Sequence, residues 1–137
     1  MPMKQKKILF GFLFIVMICG VYYYPKQSHK NDSLENALKV SAQEQKIVFL
    51  KVGEPWCKPC VEMDSLLATN PKLQDLLKKF VFVKSGINNP EIKDLQVQAI
   101  PFLIFYSPDG KEIARHTGFL KADDMIVFLE NILSKGK

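Results

Sequence analysis

Cysteine, histidine and arginine are scarce in this chain of 137 residues, and each scarcity removes a class of function. Of the three cysteines, Cys19 lies in an apolar N-terminal run, which leaves Cys57 and Cys60 for the rest of the chain. One pair is too few for a disulfide-held scaffold, so the pair reads as catalytic rather than structural. The two histidines, His29 and His116, supply no metal-ligand spacing; a zinc site here would lack two ligands, and both histidines read as surface residues. No arginine cluster exists and the lysines are scattered, which is no nucleic-acid footprint. The net charge of +5 owes three charges to Lys4, Lys6 and Lys7; from residue 25 onward 16 basic residues stand against 14 acidic ones. Val61 rather than histidine follows Cys60, so covalent haem attachment is out. Internal repeats and low-complexity segments are absent as well.

Residues 8–24 form an uncharged apolar run preceded by those three lysines and closed by Tyr22, Tyr23, Tyr24 and Pro25. A run of 17 is at the lower limit for a membrane-spanning helix, and the tyrosines suit a membrane–water interface. No small-x-small cleavage site follows. Residues 1–25 are therefore expected to be a membrane anchor, with a cleaved signal segment as the alternative, and residues 26–32 a linker. The remainder, 33–137, is expected to be one domain on the extracytoplasmic side, or secreted if the leader is removed.

Within that domain the hydrophobic period switches repeatedly. Asp32 with Glu35 resembles a capping box before an amphipathic helix over 33–45. Residues 47–52 are a short apolar run rich in β-branched and aromatic side chains, expected as a buried strand. A helical pattern over 59–69 is followed by Asn70-Pro71, a cap and first-turn proline, and by a second helical piece. A strand over 80–84, a short helix opened by Asn88-Asn89-Pro90, and a strand over 102–106 come next. Ser107-Pro108-Asp109-Gly110 carries a type I turn signature, joining a hairpin partner over 112–117. A last helix runs over 121–134. Alternation that ends in a hairpin and a helix implies an α/β domain, a mixed central sheet with helices on both faces.

The chemistry concentrates in Trp56-Cys57-Lys58-Pro59-Cys60, between the first strand and the second helix. At a helix N-terminus, free N–H groups and the dipole favour a thiolate, which points to Cys57 as nucleophile. Cys60, one turn further in, is placed to resolve a mixed disulfide. Lys58 should lower the Cys57 pKa, and Pro59 stiffens the turn. Trp56 is read partly as cover for the turn and partly as a contact surface for partners.

These residues resemble the thioredoxin superfamily, together with Ile100-Pro101 before a hydrophobic strand, Pro108-Asp109-Gly110, and Gly118. The likeness covers about residues 33 to 134. Thr117-Gly118-Phe119-Leu120 looks like the C-terminal thioredoxin-like domain of thiol:disulfide interchange proteins of the DsbD family. Membrane-tethered reductases of cytochrome c maturation are a second likeness. The resemblance implies a cis bond before Pro101, pairing of substrate with the backbone at Ile100, and no cofactor beyond the Cys57–Cys60 pair. It implies a bacterial inner-membrane protein facing the periplasm, reducing or exchanging disulfides in partner proteins with electrons from a membrane donor of the DsbD type. Oxidation or isomerisation of disulfides, and a non-catalytic binding module or chaperone, are the alternatives.

Two departures from the family stand out. The aspartate expected six residues before the first cysteine is Lys51, which either faces the site and favours thiolates or lies solvated at a strand edge. Asp64, one turn beyond Cys60, matches a carboxylate of the DsbD-type domain and is a candidate for proton transfer, or else an exposed helix residue. Phe102 replaces the usual threonine and should enlarge the apolar surface beside the proline.

Overall fold

The computed structural model describes residues 33–136. Helix α1, Leu34–Glu44, starts at an N-cap serine: Ser33 accepts from the Asn36 N–H, 3.1 Å away. Asp32, on which the capping box was expected, lies outside the described residues. Strand β1 is Ile47–Val52, α2 is Lys58–Thr69 and α3 is Pro71–Leu77. Asn70 separates the two helices, its side chain accepting from the N–H groups of Lys72 and Leu73. Strand β2, Phe80–Ser85, leads to a 3-10 helix, Pro90–Leu95, capped by Asn89. Strands β3, Phe102–Tyr106, and β4, Glu112–Thr117, form the expected hairpin, closed by the Gly110 N–H donating to the Ser107 carbonyl at 2.8 Å. Helix α4 is Ala122–Lys135.

The sheet order is β2-β1-β3-β4, with β1 parallel to β2 and antiparallel to β3, and β3 antiparallel to β4. The parallel step needs a crossover, supplied by α2 and α3. Alternation along β1 divides its side chains between two cores. Ile47 and Phe49 pack under α2, α3 and α4 with Met63, Leu73, Phe105 and Leu129. Val48, Leu50 and Val52 pack under α1 with Ala37, Val40 and Ile104. Burial on both faces explains why β1 reads as a continuous apolar run.

That run has one interruption, Lys51, which shares the α2 face with Phe49 and is 2% exposed. Since β1 lies inside the sheet, the solvated-edge reading of Lys51 is corrected. Phe102 is corrected too. It packs into the core under α1 at 3% exposure, with the Arg115 guanidinium 5.6 Å above its ring, and adds no surface beside the proline.

The membrane-helix expectation is also corrected. Among the described residues no helix is long and apolar enough to cross a membrane. The longest, α4, has 14 residues and carries Asp123, Asp124, Glu130 and Lys135, against the roughly 20 apolar residues a span requires. The anchor or signal helix expected over residues 1–25 lies outside the described residues, as do Cys19 and His29. The described residues form the mixed α/β domain. The membrane anchor, the inner-membrane placement and the membrane electron donor implied by the resemblance are withdrawn with the membrane-helix expectation, since no described helix could carry them into a membrane.

Candidate active site

The first strand ends at Val52 and the chain crosses Gly53 to Trp56 before entering α2. This brings Cys57 to the N-cap position of the helix, in extended backbone geometry, with its sulfur accepting from the Cys60 N–H at 3.3 Å. The helix start therefore directs the Cys60 N–H, shared with the Cys57 carbonyl at 3.0 Å, toward the first sulfur, an arrangement that favours a thiolate there once the pair is reduced. Cys60 follows one turn later, and the two sulfurs form a disulfide with Cα atoms 5.2 Å apart. Cys57 retains 7% exposure and Cys60 1%, so the first cysteine is the more accessible of the two. Lys58 and Pro59 occupy the first turn and are exposed.

The Ile100–Pro101 bond is cis. It places the Ile100 carbonyl oxygen 4.0 Å from the Cys57 sulfur, while the Pro101 carbonyl accepts from the Gly118 N–H at 2.8 Å. The resemblance thus picks out residues 43 positions apart in sequence that stand side by side at the disulfide. Trp56, 73% exposed, and Val61, 49% exposed, flank the cysteines as an apolar rim.

Behind Cys60 is a charged cluster. The parallel register sets Lys51 opposite Lys84, and Asp64 from α2 sits between them. Its carboxylate is 3.1 Å from the Lys51 ammonium and 3.3 Å from that of Lys84. Lys51 is buried, Asp64 partly exposed and Lys84 exposed, so the cluster runs from the core to the surface. Burial pushes the Lys51 pKa down, the hydrogen bond and charge of Asp64 push it back up, and the charge of Lys84 lowers it. A cleft of about 420 Å³ opens over these groups, with Gly53, Glu54 and Gly86 in its wall. Glu54 fastens that wall by accepting from the Ile87 N–H at 2.7 Å.

The structure therefore gathers all the sequence-predicted residues at one end of the sheet: Lys51, Trp56, Cys57, Lys58, Pro59, Cys60, Asp64, Ile100 and Pro101. It adds three that the sequence reading missed. Lys84 is recognisable only from the β1–β2 register. Glu54 acts through a backbone contact 33 residues away. Gly53 owes its importance to the close approach of Cys60 and Lys51 to its backbone. His116 is partly buried on β4, its ring 5.5 Å from that of Phe128, and is far from a simple surface residue. Among the described residues no group of histidine, cysteine, aspartate and glutamate side chains could hold a metal ion. What the site holds is the Cys57–Cys60 disulfide, an arrangement suited to thiol–disulfide exchange.

Comparison with known proteins agrees with this geometry. The sequence profile of the thioredoxin-like domain family matches residues 34–133. The thiol:disulfide interchange protein DsbD of Pectobacterium atrosepticum is 30% identical over 105 residues, which are 71% of this chain and 18% of that protein. The DsbD of Salmonella typhi is 31% identical over 99 residues, 66% of this chain and 17% of that protein. The chain thus spans less than a fifth of the length of these relatives. Among solved structures, the C-terminal domain of DsbD from Neisseria meningitidis in its reduced form superposes with a TM-score of 0.60 at 25% identity, covering 72% of this chain and 92% of that one. A thioredoxin from Thermus thermophilus superposes with a TM-score of 0.68 at 21% identity, covering 77% and 87%.

Proposed function

We propose that this chain, which belongs to the thioredoxin-like domain family, exchanges disulfides with partner proteins through Cys57 as nucleophile and Cys60 as resolving thiol. In the reducing direction the Cys57 thiolate attacks a partner disulfide. A Cys57–partner mixed disulfide forms and one partner thiolate leaves, to be protonated. Cys60 then gives up its proton and attacks the Cys57 sulfur, which releases the second partner thiolate and closes the Cys57–Cys60 disulfide. Two electrons pass to the partner, and an external dithiol must return them for the next turnover. The observation that carries this reading is the asymmetry of the pair: Cys57 is the more exposed cysteine, and its sulfur lies 4.0 Å from the carbonyl oxygen of Ile100, where a partner backbone can pair.

A second direction, oxidation or isomerisation, is favoured by the buried lysine beside Cys60. A cation there supports the reduced thiolate form, and stabilising the reduced form makes a couple more oxidising. An equilibrium potential near about −270 mV would assign net reduction, and one near about −120 mV net oxidation.

The mechanism is tested with full-length Cys60→Ala and Cys57→Ala variants and insulin as the disulfide-bearing probe. Cys60→Ala should accumulate a mixed disulfide with insulin that maps to the Cys57 peptide and is released by dithiothreitol. Cys57→Ala should give none at Cys60. A mixed disulfide that maps to Cys60 at an equal rate would overturn the assigned roles.

A further inference from the structure

Lys51 is the sole charged side chain among the fully buried residues that are described, and it stands next to the sulfur with the least access to water. The Lys51 ammonium and the Cys60 sulfur each lie 3.1 Å from the point where a Cβ on Gly53 would stand. They are thus no more than about 6 Å apart, a range at which charges inside a protein interact strongly. Nothing apolar intervenes at that point, because Gly53 has no side chain. The register that pairs Lys51 with Lys84 puts two positive charges behind Cys60 against one carboxylate, Asp64. Glu54, in the wall of the same cleft, is engaged by the Ile87 N–H.

We propose that Lys51 is a positioning residue for Cys60: its buried ammonium, held in place by Asp64, stabilises the Cys60 thiolate and so biases the cysteine pair toward its reduced form. The inference rests on the exchange reading above and gives it a direction. Without a neighbouring cation, burial alone would hold the Cys60 thiol above the ordinary cysteine value. The lysine reverses that. Asp64 plays the opposing part of a tether: 3.1 Å from the ammonium, its hydrogen bond and charge raise the Lys51 pKa against the lowering by burial, and through its partly exposed edge it connects the pair to the cleft. When Cys60 loses its proton to attack the mixed disulfide, the proton passes to water in that cleft and the negative charge left on sulfur faces the ammonium.

Two measurements test this in full-length chains. In a Cys19→Ser, Cys57→Ser background Cys60 is the lone thiol, and its thiolate absorbance is followed against pH. With Lys51 present it should titrate below the unperturbed value of about 8.5. A value at or above that overturns the proposal without any lysine variant having to fold. In the same background Lys51→Met, which keeps the apolar stem, should raise the titration by at least tenfold in proton affinity, and Lys51→Arg should restore it. An unchanged titration in a folded Lys51→Met chain overturns the proposal.

The second readout is the potential of the intact pair in a Cys19→Ser background. Above both thiol titrations, Lys51→Met should lower it by about 30 mV for each tenfold change in equilibrium constant. Below both titrations the difference should vanish. A shift of equal size at every pH would mark a purely structural effect and refute the role. Absence of insulin exchange in the unmodified chain would defeat the functional reading instead, and leaves the Cys60 titration measurable on its own.

Discussion

Gly53→Ala is the substitution that examines the site most directly, because it adds one methyl group at the place where three groups converge. The new Cβ would stand 3.0 Å from the Cys60 Cβ, 3.1 Å from its sulfur and 3.1 Å from the Lys51 ammonium. None of the three yields easily. The Cys60 Cβ is fixed to α2, the sulfur is tied into the disulfide, and the ammonium is held by Asp64. Gly53 cannot withdraw either, since its N–H donates to the Ser85 carbonyl at 3.0 Å. Its backbone is outside the left-handed region, so the whole effect is packing. Overpacking of this kind costs about 1–3 kcal/mol, and the loss of chain freedom in the unfolded state returns about 0.4–1 kcal/mol. The oxidised protein should therefore lose roughly 1–2 kcal/mol in urea unfolding. Reduction frees the sulfur to turn away and relieves one of the three contacts. The reduced protein should lose less, and a difference of about 1.4 kcal/mol would raise the potential by about 30 mV. Unfolding curves of both redox forms and a glutathione equilibrium measure the two quantities independently. Unchanged stability of the oxidised form, or a greater loss in the reduced form, would refute the close approach of Gly53, Cys60 and Lys51.

Two further outcomes probe the frame that holds the site. Phe49 is fully buried and stacks on Phe105 with centroids 4.6 Å apart, with Phe82 at 5.0 Å; Phe49→Ala should cost about 3–5 kcal/mol in chemical unfolding. A loss under about 1 kcal/mol would mean that this core is not packed as described. In the hairpin turn, the Lys111 ammonium and then the Ser107 hydroxyl hold the Asp109 pKa down to about 2. Its folded value lies below its unfolded one, so the stabilisation is present above the unfolded value and lost as pH falls through the folded one. Thermal unfolding of the unmodified chain should weaken between about pH 4 and pH 2 more steeply than that of Asp109→Asn; parallel curves would show that the turn contributes nothing.

Local chemistry announced most of the elements. Asn70 before Pro71 and Asn89 before Pro90 each combine a capping side chain with a proline that needs no N–H partner, and both open helices. The proline and glycine around Asp109 closed the hairpin for the same reason: their backbone preferences are set by residues next to them. Cys57 and Cys60 were legible because the spacing, the strand before and the helix after are all local. Ile100 and Pro101 were legible through family resemblance alone, since no rule of spacing joins them to a cysteine 43 residues away.

The partners of Lys51 were hidden for a different reason. A lysine in an apolar strand has two physical outcomes, a solvated edge or a buried charge with a counter-ion, and the strand's neighbours decide between them. Those neighbours come from β2, beyond two intervening helices, and from β3, more than fifty residues on. Once β1 is interior, the lysine must find a carboxylate, and Asp64 is supplied by the helix that carries both cysteines. Any movement of α2 that adjusts Cys60 therefore also adjusts the lysine's counter-ion. The charge beside the resolving thiol and the position of that thiol are governed by one helix, so substitutions at Asp64 and Lys51 should be non-additive in their effect on the potential.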